Sequence, residues 1–197
     1  MRKLKLEMQV SIDGFASDAN GDPSWMLWCW SDNWTWDNAL RRYHTDLTIS
    51  SDCILLSRKM AEEGFCEHWE KVAENAQDPQ SSFAKPISDM RKLVFSKSGF
   101  QTQSRNAEVV RGDLRGEIEK IKRQDGKDIL AYGGPIFASS LVEADLIDEF
   151  HLFINPTSLG SGRSMFKDLN RKIDFNLVNA RSFECGLAVL EYSRKRR

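Results

Sequence analysis

The chain has no surplus of either charge, no long apolar run and no paired cysteines. Its 197 residues carry 28 Lys+Arg against 29 Asp+Glu, which gives no electrostatic support for nucleic-acid binding. No apolar stretch approaches the roughly 20 residues that span a bilayer, and the N-terminus lacks the apolar segment of a signal peptide. We therefore expect a protein of the cytoplasm that binds neither nucleic acid nor membrane.

Cysteine and histidine are scarce and scattered. The four cysteines form no C-x-x-C pair, so we expect them to be reduced packing residues. The histidines His44, His68 and His151 are far apart in the sequence and show no metal-ligand spacing. The sequence therefore predicts no metal site, and we expect His44 to lie on the surface.

Strand and helix patterns alternate along the chain. Residues 4–12 alternate as a strand with Leu4, Leu6, Met8 and Val10 on one face. Further strands are predicted at 53–56, 93–96, 107–111, 128–132 and 147–154, followed by a hairpin at 175–184 and 187–192. Helices are predicted at 34–48, 58–75, 83–90, 114–123 and 136–141. The expected caps are Asp32 or Asn33 for the first helix and Asp113 for the fourth. Interruptions are expected at Gly64 in the second helix and near Pro86 in the third. This order predicts one α/β domain over residues 1–197, with a mostly parallel sheet, helices on both faces and an antiparallel C-terminal part.

The clearest functional signal is the glycine pair Gly133–Gly134. It ends the predicted strand 128–132, and Pro135 and Ile136 open a helix directly after it. Two glycines allow the backbone to pass close to a ligand, and the free N–H groups of a helix N-terminus attract anions. The pattern therefore favours a phosphate or pyrophosphate site, with an ordinary tight strand–helix turn as the alternative.

Two other strand ends carry polar residues. Ser57, Arg58 and Lys59 follow the strand 53–56, and Ser96 and Lys97 follow the strand 93–96. Arginine binds phosphate in a bidentate way and lysine binds it as a point charge. Because parallel strands end at the same edge of a sheet, these residues fit a nucleotide that is stretched along that edge. The alternative is a pair of solvated cations at a helix start.

Five of the six tryptophans fall between Trp25 and Trp36. Such a cluster can stack on a flat heterocycle, and Trp34 and Trp36 are our candidates for substrate contact. The alternative is that the tryptophans pack a long loop and a dimer interface.

The order of short motifs along the chain resembles the dihydrofolate reductase-like superfamily. More narrowly, it resembles the reductase domain of the bifunctional riboflavin-biosynthesis deaminase/reductase. The motifs lie at residues 11–15, 55–59, 93–97, 132–134 and 146–150, with further matches at 155–166 and 186–192. The resemblance implies a three-layer α/β/α fold, NADPH as the hydride donor and, as is common in the family, a homodimer.

By position, the resemblance also implies roles for residues. Gly133 and Gly134 would approach the pyrophosphate of NADPH, with Pro135 and Ile136 opening the helix behind it, and Arg58 would face the 2′-phosphate or the neighbouring phosphates. Ser96 and Lys97 would flank the adenosine side. The chain departs from the family pattern at Ser57, where glycine is usual, and at Met60, where threonine is usual, and the second change removes one hydroxyl contact to phosphate.

The same resemblance suggests two candidate catalytic acids. Asp37 lies roughly where dihydrofolate reductase has its acidic residue, which binds the amino-pyrimidine edge and assists proton delivery. The alternative for Asp37 is a helix N-terminal carboxylate that complements the dipole. Asp13, just past the first strand, is the rival acid.

We therefore expect a NADPH-dependent reductase of a small heteroaromatic substrate such as a pyrimidine or pterin. Dihydrofolate reduction and a non-catalytic ligand-binding homodimer of the same fold are the alternatives. The chain lacks the H-x-E and P-C-x-x-C motifs of a deaminase, which excludes a bifunctional enzyme.

The predicted strand 147–154 is apolar at almost every position, which suggests a homodimer. Phe150, Leu152 and Ile154 alternate with His151 and Phe153, so neither face is clearly polar. A second subunit over this strand and the C-terminal hairpin would cover such a surface. Helices of the same chain on both faces are the alternative.

Overall fold

A single eight-stranded sheet organises the molecule in the computed structural model, which describes residues 1–31, 33–97 and 99–195. The strands are β1 (Leu4–Val10), β2 (Ser51–Ser57), β3 (Arg91–Phe95), β4 (Ala107–Val110), β5 (Asp128–Tyr132), β6 (Glu149–Ile154), β7 (Phe175–Ser182) and β8 (Ala188–Arg194). They follow the order β4-β3-β2-β5-β1-β6-β8-β7. Strands β1 to β6 are parallel, and β8 is antiparallel to both β6 and β7. The predicted parallel sheet with an antiparallel C-terminal part is confirmed.

Helices cover both faces of this sheet. They are α1 (Asn38–Ile49), α2 (Arg58–Glu62), α3 (Phe65–Glu74), α4 (Ser81–Asp89), α5 (Leu114–Lys122) and α6 (Pro135–Glu143). Leu40, Trp69 and Phe83 from α1, α3 and α4 pack on what we call the first face. Ile118 of α5 and Leu141 of α6 pack on the second face. The three-layer α/β/α architecture is therefore confirmed.

The start of α1 differs from the prediction. The carboxylate of Asp37 accepts hydrogen bonds from the N–H groups of Ala39 and Leu40, so the helix begins at Asn38. The predicted cap at Asn33 is wrong, and the alternative cap, Asp32, lies outside the described residues.

Gly64 and Pro86 were both predicted to interrupt helices, and only Gly64 does so. Gly64 separates α2 from α3 with a φ of +87°, which confirms the predicted interruption. The predicted break near Pro86 is wrong, because α4 continues through this residue. Phe83 and Ile87 are fully buried on one side of α4, so packing on the sheet outweighs the single hydrogen bond that proline removes.

Strand β1 lies in the centre of the sheet, between β5 and β6. Its predicted apolar face is confirmed, since Leu4, Leu6, Met8 and Val10 are all buried in the second-face core. The opposite residues Lys5, Glu7 and Gln9 face α1 and the first-face core. A central strand of a covered sheet has no solvated side, and Lys5 and Glu7 are accordingly buried.

Strand β6 is covered by its own chain on both sides. Phe153 packs against Trp36 and Tyr43 on the first face. Phe150 packs against Phe166 and Phe175 on the second face. The apolar character of β6 therefore does not require a second subunit, and the alternative of cover by the same chain accounts for it.

Candidate functional site

The carboxyl ends of the parallel strands bring the predicted phosphate-contact residues to one edge. Gly133 and Gly134 follow β5, which lies between β2 and β1, so Arg58 is on one side of the glycine pair and Asp13 on the other. Lys97 follows β3, one strand beyond Arg58. With strands about 4.8 Å apart, the row from Lys97 to Asp13 spans on the order of 14 Å. Residues that are far apart in sequence thus form one continuous edge.

The glycine pair leaves the start of α6 open. Gly134 is the N-cap with φ −70° and ψ 171°, and none of the described side chains caps the helix. A Cβ built on Gly134 would meet no atom within 4 Å, whereas a Cβ on Gly133 would lie 2.7 Å from Phe137 Cδ1. Pro135 occupies the first turn, where no N–H is needed. Gly133 therefore serves the packing of α6, while the backbone at Gly134 is accessible to an anion.

The residues after β2 combine exposed cations with a self-capped helix. Arg58 Nη1 lies 2.7 Å from Glu62 Oε1, and Lys59 Nζ lies 3.4 Å from Glu63 Oε1. The Ser57 hydroxyl accepts a hydrogen bond of 3.2 Å from the N–H of Met60. Serine at the family's glycine position thus satisfies one N–H of α2 itself, and a phosphate at Arg58 would compete with Glu62.

The two residues after β3 differ in accessibility. Ser96 is buried, and its backbone N–H donates a hydrogen bond of 3.1 Å to the carbonyl oxygen of Val110. Lys97 is exposed. Of the pair, Lys97 is therefore the side chain that a ligand at the edge can reach.

Asp13 ties two loops of this edge together. Its carboxylate accepts hydrogen bonds from Ser11 Oγ (2.5 Å), Ser158 Oγ (2.8 Å), the N–H of Leu159 (3.1 Å) and the N–H of Gly160 (2.7 Å). The Ser11 hydroxyl is the main cause that holds the pKa of Asp13 well below its usual range, and the loop N–H groups add to it. Asp13 is therefore ionised at neutral pH and can accept hydrogen bonds but has no proton to give.

Asp37 lies at the same edge, where α1 begins. Besides capping the helix, its carboxylate accepts a hydrogen bond of 3.1 Å from the N–H of Cys185 in the turn between β7 and β8. Desolvation raises the pKa of Asp37, but the backbone hydrogen bonds from Cys185 and the first turn of α1 outweigh it, and the net pKa is lowered. The alternative of a helix N-terminal carboxylate thus describes its local role.

Trp34 and Trp36 form part of the first-face core. Trp36 is only 1% exposed and stacks on Phe153 with ring centroids 5.5 Å apart, and Trp34 is also buried. In this conformation neither ring presents a face to a substrate. Substrate binding by Trp34 and Trp36 stays a prediction. It would require the loop that carries these residues, which precedes α1, to open.

A polar pair that the sequence reasoning missed anchors this loop. Asn155 Oδ1 accepts a hydrogen bond of 2.8 Å from the N–H of Leu27, and Gln9 Nε2 donates one of 2.9 Å to the carbonyl oxygen of Trp28. Asn155 and Gln9 also bond to each other at 3.1 Å. Gln9 and Asn155 are uncharged polar residues near the carboxyl ends of two adjacent strands, β1 and β6, and this was the signal in the sequence that could have revealed the pair.

Two exposed apolar side chains flank the glycine turn. Ile12, just after β1, is 66% exposed, and Ile136, in the first turn of α6, is 68% exposed. Both follow adjacent strands at the same edge. They give the edge an apolar component beside its glycines and cations, as a site for a flat ring requires.

A buried network lies directly beneath the glycine turn. Tyr132 Oη donates a hydrogen bond of 2.8 Å to Glu7 Oε2, and His44 Nε2 lies 2.8 Å from Glu7 Oε1. Burial, with a further contribution from Glu7, raises the pKa of Tyr132 well above its usual value. The prediction that His44 lies on the surface is wrong, because this residue is 1% exposed and joins α1 to the sheet.

A surface cavity lies between α3 and α4, in the helix layer on the first face. Ala73, Ser82 and Lys85 are among its lining residues, and it contains no residue of the predicted site. Its walls lack the glycine turn and the row of strand ends, so we do not assign it to the cofactor.

Comparison with known proteins identifies a matching family and similar proteins. The family model described as the RibD C-terminal domain matches residues 2–189. The chain is 28% identical over 193 residues to the uncharacterized protein YyaP of Bacillus subtilis, covering 97% of this chain and 94% of that protein.

Two solved structures share the fold. A pyrimidine reductase-like protein of Corynebacterium diphtheriae has a TM-score of 0.63 and 14% identity, covering 100% of this chain and 93% of the other. The diaminohydroxyphosphoribosylaminopyrimidine deaminase/5-amino-6-(5-phosphoribosylamino)uracil reductase of Thermotoga maritima has a TM-score of 0.64 and 18% identity, covering 98% of this chain and 57% of the other. At these identities the likeness concerns the fold.

The helices are those of a layered α/β protein. Across the described ranges, none has both the length and the apolar character that a membrane crossing would need.

Proposed function

Because the chain belongs to the RibD C-terminal domain family, we propose that it is a NADPH-dependent reductase of a small pyrimidine- or pterin-like substrate. The residues at the carboxyl edge of the sheet would hold NADPH, which would supply the hydride for the reduction. The protein would supply orientation through its strand ends and helix N-termini.

The observation that carries this proposal is the open backbone at Gly134. It lies at the N-terminus of α6, in the middle of the edge, and no described atom would contact a Cβ there. A pyrophosphate at this position would receive hydrogen bonds from backbone N–H groups and the favourable end of the helix dipole. Arg58 and Lys59 on one side would supply positive charge, and Ile12 and Ile136 would supply apolar contact to the ring.

We propose Asp37 and Asp13 as acceptors for the amino groups of the substrate rather than as proton donors. Both carboxylates have lowered pKa values, so they are ionised at neutral pH. An ionised carboxylate only accepts hydrogen bonds, and each of its oxygens can accept more than one. The proton that completes the reduction would then come from solvent.

Arg58 distinguishes NADPH from NADH in this proposal. Arg58→Ala should weaken NADPH binding by roughly 1.5–3 kcal/mol, the range for charge-assisted hydrogen bonds to a phosphate. NADH lacks the 2′-phosphate, and its affinity should change much less. The dissociation constants of both cofactors can be measured by fluorescence titration.

Arg123→Ala is the matched control for Arg58→Ala. Arg123 pairs with Glu119 at the end of α5 in the same i,i+4 arrangement, outside the proposed site, and its loss should leave both affinities unchanged. Equal losses for NADPH and NADH in Arg58→Ala would put this side chain on another part of the nucleotide. No loss for either cofactor would make Arg58 a surface residue.

A non-catalytic ligand-binding protein is the second candidate. Two observations favour it: Ser57 satisfies an N–H of α2 that a phosphate could use, and the ring faces of Trp34 and Trp36 are covered. Titration with NADPH, followed by the fluorescence of Trp25 and Trp30 in the anchored loop, tests cofactor binding. Loss of the NADPH absorbance in the presence of pyrimidine and pterin substrates tests hydride transfer. Binding without oxidation of NADPH would favour the second candidate, and the absence of NADPH binding would contradict the first.

We also propose a homodimer formed through strand β7. This edge strand is exposed along most of its length, and the apolar residues Leu177 and Val178 are 57% and 56% exposed. An exposed edge strand with apolar side chains is a surface that proteins cover, and a two-fold dimer is the commonest arrangement that does so. Sedimentation at micromolar concentration should give a dimer, and Leu177→Glu should give a monomer of 22.6 kDa.

Ile49→Glu is the control for this substitution. Ile49 is an exposed apolar residue at the end of α1, away from β7. A monomeric parent protein would contradict the proposal, and dissociation by both substitutions would show an effect of charge rather than of the β7 surface.

A further inference from the structure

A histidine and two glutamates meet on the first face of the sheet, away from the glycine edge. His151 lies opposite Glu191 across the β6–β8 pair, and Glu149 is two residues before His151 on the same strand. The pleat therefore directs all three side chains to one face. One nitrogen or oxygen atom from each residue lies within 4.8 Å of the others.

The His151 ring has one satisfied nitrogen and one without a partner. Its Nδ1 lies 2.6 Å from Tyr43 Oη, while its Nε2 has no hydrogen-bond partner among the described residues. The residue is 5% exposed, so water does not readily replace the missing partner. Nε2 lies 3.9 Å from Glu149 Oε2, which is too far for a hydrogen bond. A buried polar atom thus lies beside the Glu149 carboxylate, within the same cluster as Glu191, without a direct bond.

This arrangement calls for a cation between the three groups. If Nδ1 donates its proton to Tyr43 Oη, Nε2 carries a lone pair, and a lone pair facing carboxylate oxygens is repulsive. Lys3 Nζ lies 2.6 Å from Glu149 Oε1 and pairs with that oxygen. The other carboxylate oxygen, Oε2, is the one that lies near His151. Two further cations are engaged elsewhere. Lys5 lies opposite Glu149 on β1, but its Nζ is 2.9 Å from Asp128 Oδ2, and Arg181 lies over the ring of Tyr43 at 5.3 Å from its centroid.

The two carboxylates of the cluster border the solvent. The side chain of Glu149 is partly exposed, and so is Glu191, which leaves a path from solvent to the three groups.

We propose that Glu149, His151 and Glu191 form a site for a divalent first-row transition ion, with Zn²⁺ as the ion that fits best. One imidazole nitrogen and two carboxylate oxygens are a ligand set that Zn²⁺ accepts, with a fourth position open to water. Tyr43 is the outer partner that fixes the ring and its tautomer, as metal-bound histidines require. The ion would join β6 to β8 and so stabilise the antiparallel part of the sheet.

The spacing rule behind the prediction of no metal site does not detect this cluster, for a geometric reason. It compares histidines along the chain, whereas two ligands of this site come from one strand and the third from a strand 40 residues later, by the register His151–Glu191. A cross-strand pair has no signature in a single sequence.

Zinc binding to the chelator-treated, tag-free protein tests the proposal. Competition with a chromophoric chelator should give one equivalent of Zn²⁺, and Co²⁺ should give the visible absorption of a nitrogen- and oxygen-bound ion. Glu191→Gln should weaken Zn²⁺ binding by at least about tenfold, and Tyr43→Phe by roughly 10–100-fold. Neither readout depends on reductase activity, so the result is independent of the proposed function.

Glu184→Gln is the matched control. It removes the same charge from the turn between β7 and β8, outside the cluster, and should leave the affinity unchanged. Thermal unfolding of the metal-free variants checks that they are folded.

Three results would overturn the proposal. The first is the absence of saturable one-to-one binding, and the second is equal affinity in Glu191→Gln and Glu184→Gln. The third is an imidazole NMR signal of His151 that shows a stable imidazolium and does not move when Zn²⁺ is added, because the cation between the carboxylates would then be a proton.

Discussion

Gly134→Val is expected to abolish NADPH binding and to leave the protein folded. The φ and ψ of Gly134 are ordinary extended values that valine adopts, and a Cβ there meets no described atom within 4 Å. The new side chain would occupy the volume that a pyrophosphate needs at the start of α6. Fluorescence titration measures the affinity, and thermal unfolding checks the fold.

Gly134→Ala provides a graded comparison. A single methyl group should weaken NADPH binding less than the branched side chain of valine does, because it fills less of the same space. Unchanged affinity in a folded Gly134→Val protein would remove the main support for a nucleotide site at this edge.

Trp36→Ala is expected to lower the free energy of unfolding by about 3–5 kcal/mol, the range for removing a large buried aromatic side chain. The ring of Trp36 is enclosed by Trp28, His44 and Phe153, so alanine would leave a cavity in the first-face core. Urea unfolding measures the change.

Trp25→Ala is the comparison for this substitution. Trp25 belongs to the same tryptophan-rich segment but is only partly buried and lies outside the described core clusters. Its loss should destabilise the protein clearly less. A small effect of Trp36→Ala on stability, combined with a large effect on substrate affinity, would instead favour the predicted substrate contact.

Features encoded by neighbouring residues could be predicted from the sequence. The strand β5, the turn at Gly133–Gly134 and the helix that begins at Pro135 follow one another directly, so periodicity and turn chemistry were sufficient. The cap at Asp113 was predicted for the same reason, and its carboxylate accepts a hydrogen bond from the N–H of Gly116.

Features that depend on packing could not be predicted in this way. Pro86 lies within a helix because buried neighbours hold that helix on the sheet, and His44 is buried because Glu7 comes from a strand 37 residues earlier in the chain. Asp37 was identified as important, but its bond to the N–H of Cys185 joins residues 148 positions apart. Single-sequence reasoning detects local periodicity, whereas these contacts are decided by tertiary structure.

The central place of β1 has a consequence for how the chain is made. Its neighbours in the sheet are β5 and β6, and the pairing of Leu4 with Ile129 joins residues that are synthesised 125 positions apart. During translation both edges of β1 stay unpaired until β5 and β6 have been synthesised. Strands β2, β3 and β4 can assemble earlier with the helices between them. Pairings across such distances form slowly, and unpaired edges attract other chains. We therefore expect the nascent protein to rely on chaperones until residue 154 has emerged, and refolding from denaturant to lose material to aggregation as protein concentration rises.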